Sequence, residues 1–170
     1  LIPFLFSLWL MMPMTRPVEA HPTLSTISAS NKLRAISANK NVYYVSTGIP
    51  FIMASDINEG IVDLVNCKFI KKTQADTLQK GFSFTDDVLV THKGVIGRTA
   101  IVGKTQTDYI MLTPQVTYYR IKDKSKLDNQ FLKYYFDSML FQRLFKSWAG
   151  SGSTRDYLGI TEQRKLPILL

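Results

Sequence analysis

Two stretches of the chain carry side chains of the kinds that bind phosphate or read a nucleobase. Between residues 88 and 102, Lys93 lies at a Gly-containing connection between two β-rich runs, and Arg98 directly follows Gly97 in the second run. Residues 150–155 form the hydroxyl-rich stretch Gly-Ser-Gly-Ser-Thr-Arg. Backbone amides, hydroxyls and guanidinium groups hold phosphates, and an arginine can also bind guanine bidentately. A polar connector without a ligand is the alternative interpretation of this stretch.

The overall charge is informative about partners rather than about the fold. The 170 residues carry a formal net charge of +8, and the pI is about 9.6. The cations are dispersed along the chain, so they could attract nucleic acid or an anionic membrane surface, or serve solubility alone. A hydrophobic fraction of 45% and an aromatic fraction of 12% argue against disorder and predict one domain with a sizeable core.

The usual patterns of catalytic and metal-binding residues are missing from the sequence. Cys67 is the one cysteine, and His21 and His92 lie far apart, so neither an intrachain disulfide nor a metal site is predicted. No Asn/Asp-Pro-Pro-aromatic motif, Gly-rich cofactor loop, Walker loop or His-Glu-x-x-His motif occurs. Asp156 with Glu162 is a poor match to a nuclease acid set. We therefore predict a non-catalytic protein with no cofactor. A fragment of a DNA methyltransferase or nuclease stays the alternative, because catalytic residues can be dispersed.

The elements that position the candidate residues are mostly strands. Residues 88–102 predict a β-hairpin with its turn at 92–94, where Gly94 supplies a positive φ. Gly97 inside the second strand indicates a bulge or the close approach of another backbone. Residues 115–121 alternate, which predicts that Val116, Tyr118 and Arg120 share one face of a strand.

The hydrophobic period changes after residue 124. Ser125 and Asp128 have the spacing of a helix start, and large apolar residues then recur at three- and four-residue intervals until Gly150. This pattern predicts one long amphipathic helix over residues 125–149, of about six turns. Its apolar stripe, including Phe136 and Leu140, is expected to be core.

The first forty residues differ from the rest. Residues 1–14 are apolar but shorter than the roughly 20 residues of a membrane-spanning helix, and Pro3 and Pro13 interrupt them. Followed by Val18-Glu-Ala, they imitate a secretory segment, so an exported β-rich binding domain is a further alternative. Residues 21–41 are Ser-rich and predict a linker or an altered first strand. We assign 1–40 to a leader and linker, and 41–170 to the folded domain.

Three ordered blocks carry a resemblance to a known family. Residues 86–102, Asp-Asp-Val-Leu-Val-Thr-His-Lys-Gly-Val-Ile-Gly-Arg-Thr-Ala-Ile-Val, resemble one block of type I restriction-modification specificity subunits. Residues 48–61, Gly-Ile-Pro-Phe-Ile-Met-Ala-Ser-Asp-Ile-Asn-Glu-Gly-Ile, resemble a second block, and residues 150–158 followed by Lys-Leu-Pro-Ile at 165–168 resemble a third. One departure is Phe-Thr-Asp at 84–86, where the family more often has Lys-Gly-Asp. The chain thus resembles one target recognition domain of such a subunit.

The resemblance implies an α+β fold, a twisted and mostly antiparallel β-sheet with the 125–149 helix packed on it. It also implies sequence-specific binding of double-stranded DNA by a non-catalytic component that works with methyltransferase (modification) and restriction subunits and with a second specificity half. Such a protein is expected to be cytoplasmic, with no membrane contact. The chain stops about where the family's conserved connecting helix would begin. The residues expected to contact DNA are Lys71, Lys72, Lys93, Arg98, Lys104, Ser153, Thr154 and Arg155.

Overall fold

Two stacked β-sheets with helices on both outer sides form the described part of the protein. The computed structural model describes residues 27–30, 42–78, 80–150 and 157–168. The strands are β1 (Ile27–Ser30), β2 (Tyr44–Val45), β3 (Ile49–Ile52), β4 (Ile57–Asn58), β5 (Ile61–Val62), β6 (Lys68–Ile70), β7 (Phe82–Ser83), β8 (Val88–Lys93), β9 (Val95–Ile101), β10 (Ile110–Leu112) and β11 (Val116–Ile121). The helices are α1 (Lys72–Asp76), α2 (Asn129–Asp137), α3 (Met139–Ala149) and α4 (Ile160–Gln163), and a short 3-10 turn covers Ala54–Asp56.

The strand order confirms the predicted α+β class but divides the strands between two main sheets. The four-stranded sheet has the order β1-β11-β8-β9, and all of its pairs are antiparallel. The five-stranded sheet has the order β2-β6-β3-β10-β7, in which β3 and β10 are parallel and the other pairs antiparallel. Strands β4 and β5 form a separate small hairpin.

Strands β8 and β11 of the four-stranded sheet bury apolar side chains on both faces. Helices cover one face, and the second sheet is needed to cover the other. Val90 and Tyr119 pack against α2 and α3 on one face. Leu89 and Val116 pack on the other face against Ile110 and its neighbours in the five-stranded sheet. The alternation predicted for β11 is therefore confirmed, with apolar partners on both sides. Helix α1 covers the outer face of the five-stranded sheet.

The prediction of a single long helix is wrong, because the helix is interrupted at Ser138. Ser138 has φ −61° and ψ 146°, an extended conformation, and its hydroxyl oxygen accepts a hydrogen bond from the Phe141 amide (3.3 Å) at the start of α3. The first helix begins at Asn129 rather than at Ser125, because Asp128 caps its N-terminus. The carbonyl that Phe136 presents at the break accepts a hydrogen bond from Gln142 Nε2 (2.7 Å).

The break also changes which apolar residues are buried. Phe136 is 1% exposed and lies in the core, as predicted. Leu140 is 60% exposed, so its assignment to the core is wrong, and the neighbouring Met139 is 66% exposed. The extended residue Ser138 shifts the helical phase, and the positions after it therefore face a different direction from the one that an unbroken helix predicts.

The central hairpin forms as predicted, with a tighter turn. His92 and Lys93 belong to β8, and Gly94 alone, with φ +81°, separates the two strands. The pairing register shifts between Val90 and His92, and Gly97, with φ +82°, lies in the resulting bulge. The group that approaches Gly97 is the Gln142 side chain rather than a backbone: a Cβ on Gly97 would lie 2.4 Å from Gln142 Oε1.

Smaller expectations have mixed outcomes. Strand β1 lies within the stretch for which a linker and a first strand were both open. Asp56 accepts a hydrogen bond from the Met53 amide (2.8 Å), and Cys67 is buried. The boundary at residue 41 stays a prediction.

Candidate nucleic-acid interface

The tip of the β8–β9 hairpin carries an exposed lysine on a hydrogen-bonded backbone. Lys93 is exposed and forms no ion pair within the described residues. The next residue, Gly94, has no side chain to cover it, and Val95 on the far side of the turn is 46% exposed. The backbone amide of His92, one residue before the lysine, donates to the Gln115 carbonyl (2.9 Å). The hairpin tip is therefore tied to the turn that leads into β11.

A neutral histidine lies beneath this lysine. His92 is 1% exposed, and its Nδ1 lies 3.1 Å from the Leu158 carbonyl oxygen. Burial lowers the pKa of His92 to about 4, and the neighbouring Lys93 charge acts in the same direction. The imidazole is therefore uncharged near neutral pH, and of these two neighbouring residues only Lys93 carries a positive charge.

The segment after residue 156 completes the same end of the four-stranded sheet. Tyr157 forms an isolated antiparallel bridge with Lys93, and the Leu158 amide donates to the His92 carbonyl (3.1 Å). Gln163 is fully buried; its Nε2 donates to the Leu158 carbonyl (2.6 Å), and its Oε1 accepts from the Tyr119 hydroxyl (2.8 Å). Burial raises the pKa of Tyr119, so its hydroxyl stays a donor.

These contacts bring the flanks of the predicted arginine loop to the hairpin tip. The Tyr157 amide lies 3.4 Å from the Ala149 carbonyl, so the described residues on either side of 150–156 are hydrogen-bonded to each other. Tyr157 is 50% exposed, and its ring centre is 5.6 Å from that of His92. Ser153, Thr154 and Arg155 lie outside the described residues, and their contribution to a site stays a prediction.

Arg98 contacts another part of the fold instead of projecting freely. Its Nη1 donates to the Ile57 carbonyl (3.2 Å) and to Asn58 Oδ1 (2.7 Å), which attaches β9 to the small β4–β5 hairpin. Its backbone amide donates to the Thr91 hydroxyl across the bulge (3.0 Å). A structural role for this arginine is therefore visible in the fold, whereas a DNA contact stays a prediction.

The remaining predicted lysines lie at the opposite end of the molecule. Lys71 and Lys72 directly follow β6, whose last residue pairs with the first residue of β3. Lys104 lies in the loop before β10, a strand that runs parallel to β3, and so adjoins the same end. It lines a cavity of about 420 Å³ together with Thr47, Gly48 and Gln106. Strand β9 separates this end from Lys93 by roughly 20 Å, at about 3.3 Å per residue.

Lys72 belongs to a local polar network at that end. Its Nζ lies 3.0 Å from the Asp76 carboxylate, which also accepts from the Tyr109 hydroxyl (2.7 Å). The hydrogen bond from Tyr109, followed by the one from Lys72, lowers the pKa of Asp76. Burial and the contact with Asp76 raise the pKa of Tyr109 to about 12. Lys71 and Lys104 are exposed and form no ion pair in the described part of the chain.

Sequence reasoning missed an ion pair whose carboxylate is buried, between Asp87 and Arg120. Asp87 is 2% exposed, and it accepts hydrogen bonds from Arg120 Nε (2.8 Å) and Nη2 (2.7 Å) and from the Phe84 amide (2.9 Å). The Arg120 guanidinium lies 4.5 Å from the Phe84 ring centre and 4.8 Å from the Tyr118 ring centre. The hydrogen bonds to Asp87 raise the pKa of Arg120. This pair joins the start of β8 to β11, and the guanidinium is occupied by contacts within the domain.

Other kinds of site find no support among the described residues. They contain no cluster of three or more His, Cys, Asp or Glu that could hold a metal ion. Burial raises the pKa of the Cys67 thiol, which disfavours the reactive thiolate. None of the described helices has the length and apolar character that crossing a bilayer requires.

Comparison of the fold with solved structures finds similar chains, although the sequence matches no family model and no curated protein. A chain from a structure concerned with complex assembly and conformational transition of the type I R-M system aligns with 86% of this chain and 32% of its own length, at a TM-score of 0.61 and 15% identity. The type I restriction-modification system S subunit from M. genitalium aligns with 91% of this chain and 35% of its own length, at a TM-score of 0.54 and 14% identity. The HsdS subunit from Thermoanaerobacter tengcongensis aligns with 89% of this chain and 34% of its own length, at a TM-score of 0.59 and 14% identity.

The similarity concerns the fold, and it covers a part of each solved chain. The chain spans about a third of the length of the solved chains that it matches. At 14–15% identity the shared property is the arrangement of strands and helices rather than any particular side chain. The resemblance drawn from the three sequence blocks is thereby confirmed at the level of fold: the chain has the fold of part of a type I restriction-modification specificity subunit.

Proposed function

We propose that this chain binds double-stranded DNA at a specific base sequence, as the recognition component of a type I restriction-modification complex. The observation that carries the proposal is the fold similarity to the S subunits over about nine-tenths of the chain. The formal charge of +8 agrees with it, because phosphate neutralisation supplies a large part of the affinity of DNA-binding proteins.

The hairpin tip is the surface that we assign to the DNA contact. Lys93 is an exposed cation with no acidic partner in the described residues, held on strands whose backbones are paired on both sides. This support matters because the backbone that carries Lys93 is already hydrogen-bonded, so binding would not have to order the hairpin. The predicted loop with Arg155 begins and ends beside this tip, since Ala149 and Tyr157 are hydrogen-bonded to each other.

The proposal assigns no chemical step to this chain. Methyltransferase and restriction subunits would carry out modification and cleavage, and a second specificity half would read the other part of the target. The structure of a type I R-M system assembly among the similar folds supports such partners. The complex would act in the cytoplasm.

Selection from a random duplex library at near-physiological salt tests the central claim. A recognition domain should enrich a motif of about 3–5 base pairs, since one such domain presents a few base-reading side chains. The selection is run with the chain alone and with partner subunits added. A folded sample that enriches no motif under either condition contradicts the proposal.

The role of Lys93 is tested with a charge-matched control. Lys93→Ala should weaken binding to all sequences alike and reduce the slope of log affinity against log salt by about 1. Lys126→Ala removes the same charge from a lysine that pairs with Asp123 (3.5 Å), and it should leave the slope nearly unchanged. Equal effects of the two substitutions would show that the tip has no special role.

The absence of catalysis is tested with the purified chain. Incubation with S-adenosylmethionine, ATP and magnesium should yield neither methylated nor cleaved DNA. Turnover that disappears when an acidic residue of this chain, such as Asp156, is replaced would refute the assignment and favour a DNA-modifying enzyme.

A further inference from the structure

A glutamine carboxamide lies beside the lysine at the hairpin tip. Gln115 precedes β11 and is half-buried, and its Nε2 lies 4.0 Å from the position that a Cβ on Gly94 would take. The side chain of Gln115 forms no hydrogen bond within the described residues, whereas other glutamines such as Gln142 and Gln163 are bonded through their carboxamides. An amide donor and an amide acceptor are thus both available next to Lys93.

The backbone fixes the position of this carboxamide. The Gln115 carbonyl accepts a hydrogen bond from the His92 amide (2.9 Å), and the next residue, Val116, pairs with Thr91. On the other side of β8, β9 pairs with the tip beyond the bulge, with Ile96 opposite His92 and Val95 opposite Lys93. Tyr157 pairs with Lys93 and closes the same edge. The substitution of the Gln115 side chain alone would leave these backbone contacts in place.

We propose that Gln115 is a specificity-determining residue that binds the major-groove edge of one adenine. The carboxamide oxygen can accept from the adenine N6 amino group while its nitrogen donates to N7, which is the characteristic pairing of glutamine with adenine. Lys93, one residue from Gly94, would neutralise an adjacent phosphate, and this contact fixes the register of the protein on the duplex. Gly94 leaves the carboxamide accessible because no side chain stands in front of it.

This inference rests on the proposed function, and the same selection experiment tests both separately. The unmodified chain, Gln115→Ala and Gln115→Glu are each selected against a random duplex library, and the enriched sequences are then measured by titration. Gln115→Glu keeps the shape of the side chain but replaces the amide donor with an acceptor, which suits the N4 amino group of cytosine. Gln130→Glu is the control. It makes the same chemical change in an exposed residue next to Asn129, which lines a cavity with Asp86 and Asp87 at the other end of β8.

The expected result is a change at one position of the motif. Gln115→Ala should reduce the preference for adenine at that position by roughly 5- to 150-fold, and the rest of the motif should persist. Gln115→Glu should shift the preferred base at the same position from adenine to cytosine. Gln130→Glu should leave every position unchanged, and circular dichroism should show that all variants fold.

Two other results overturn the inference without affecting the proposed function. An unchanged motif in both Gln115 variants would show that the side chain does not contact a base. An equal loss of affinity for all sequences would show that it contacts the DNA backbone. If the unmodified folded chain enriches no motif even with partner subunits, the proposed function fails first, and the inference fails with it.

Discussion

Replacement of Gly97 by alanine is the sharpest test of how the hairpin is built. A Cβ at this position would lie 2.4 Å from Gln142 Oε1 and 3.2 Å from its Cδ. Gly97 also has φ +82°, a region that residues with a Cβ adopt at a cost. The carboxamide that would be displaced donates from Nε2 to the carbonyls of Gly97 (2.8 Å) and Phe136 (2.7 Å). One added methyl group therefore strains β9 and disturbs the junction between α2 and α3.

The expected cost follows from these contacts. A left-handed backbone conformation costs roughly 1–2 kcal/mol for a residue with a Cβ. Loss of the two hydrogen bonds of Gln142 adds about 0.5–1.5 kcal/mol each. Gly97→Ala should thus lower the free energy of unfolding by roughly 2–5 kcal/mol, a large part of the 5–15 kcal/mol or so that stabilises a typical domain. Gly97→Val should cost more, since its side chain is bulkier and branched at Cβ.

Two glycines serve as matched controls in urea and thermal denaturation. Gly94 has φ +81° and no atom nearer than 4.0 Å to its hypothetical Cβ, so Gly94→Ala should show the backbone cost alone. Gly103 has nothing within 4 Å and no positive φ, so Gly103→Ala should be close to neutral. In a Gln142→Ala background, the cost of Gly97→Ala should fall to that of Gly94→Ala. If Gly97→Ala costs no more than Gly94→Ala in the unmodified chain, the contact with Gln142 does not constrain this position.

Three further predictions concern pH, the core and the loop. The pKa of His92 is about 4 in the folded state against 6.5 ordinarily, so the stability that the neutral imidazole contributes is fully present above pH 6.5 and falls by roughly 3 kcal/mol as the pH approaches 4. In urea titrations from pH 7 to 4.5, the free energy of unfolding should fall more steeply for the unmodified chain than for His92→Gln. Equal slopes would contradict a buried neutral imidazole. Phe136→Ala should cost roughly 3–5 kcal/mol and Leu140→Ala about 0.5 kcal/mol or less in thermal melts, because only the first is buried, and equal losses would contradict the break in the helix. Arg155→Ala should relax base preference at one position by about 1–3 kcal/mol in duplex titrations if the arginine reads a base, whereas uniform weakening would show a phosphate contact.

Local chemistry explains why parts of the fold could be predicted from the sequence. The alternation of apolar residues in β11 and the β-rich runs around Gly94 depend on near neighbours, and both appear in the structure as predicted. Glycine inside a strand indicates a bulge or the close approach of another backbone, and the register shift and positive φ at Gly97 show that the bulge is present. Gly150 ends helix α3 after Ala149 for a similarly local reason.

The break in the predicted long helix depends on contacts that are remote in sequence. The apolar period continues through Ser138, so periodicity alone favours one helix. The structure instead has an extended residue there, and Gln142 reaches both the carbonyl of Phe136 and that of Gly97, 45 positions earlier. This arrangement also turns Met139 and Leu140 to the surface. A pattern of near neighbours contains no information about such a contact.

The sequence by itself determined which residues could bind DNA, because charge and hydrogen-bonding capacity belong to the side chains. It determined the β8–β9 hairpin and the alternation along β11, because these depend on local conformational preference. Only the tertiary structure decided which candidates lie together. Strand pairing places Lys93 beside Tyr157 and Gln115, while the length of β9 separates it from Lys104. Because β4 packs on β9, the Arg98 guanidinium forms its hydrogen bonds within the fold, and the Arg120 guanidinium does the same in its ion pair with Asp87. Availability for a ligand is a property of the surroundings of a side chain, and those surroundings form only when distant segments pack.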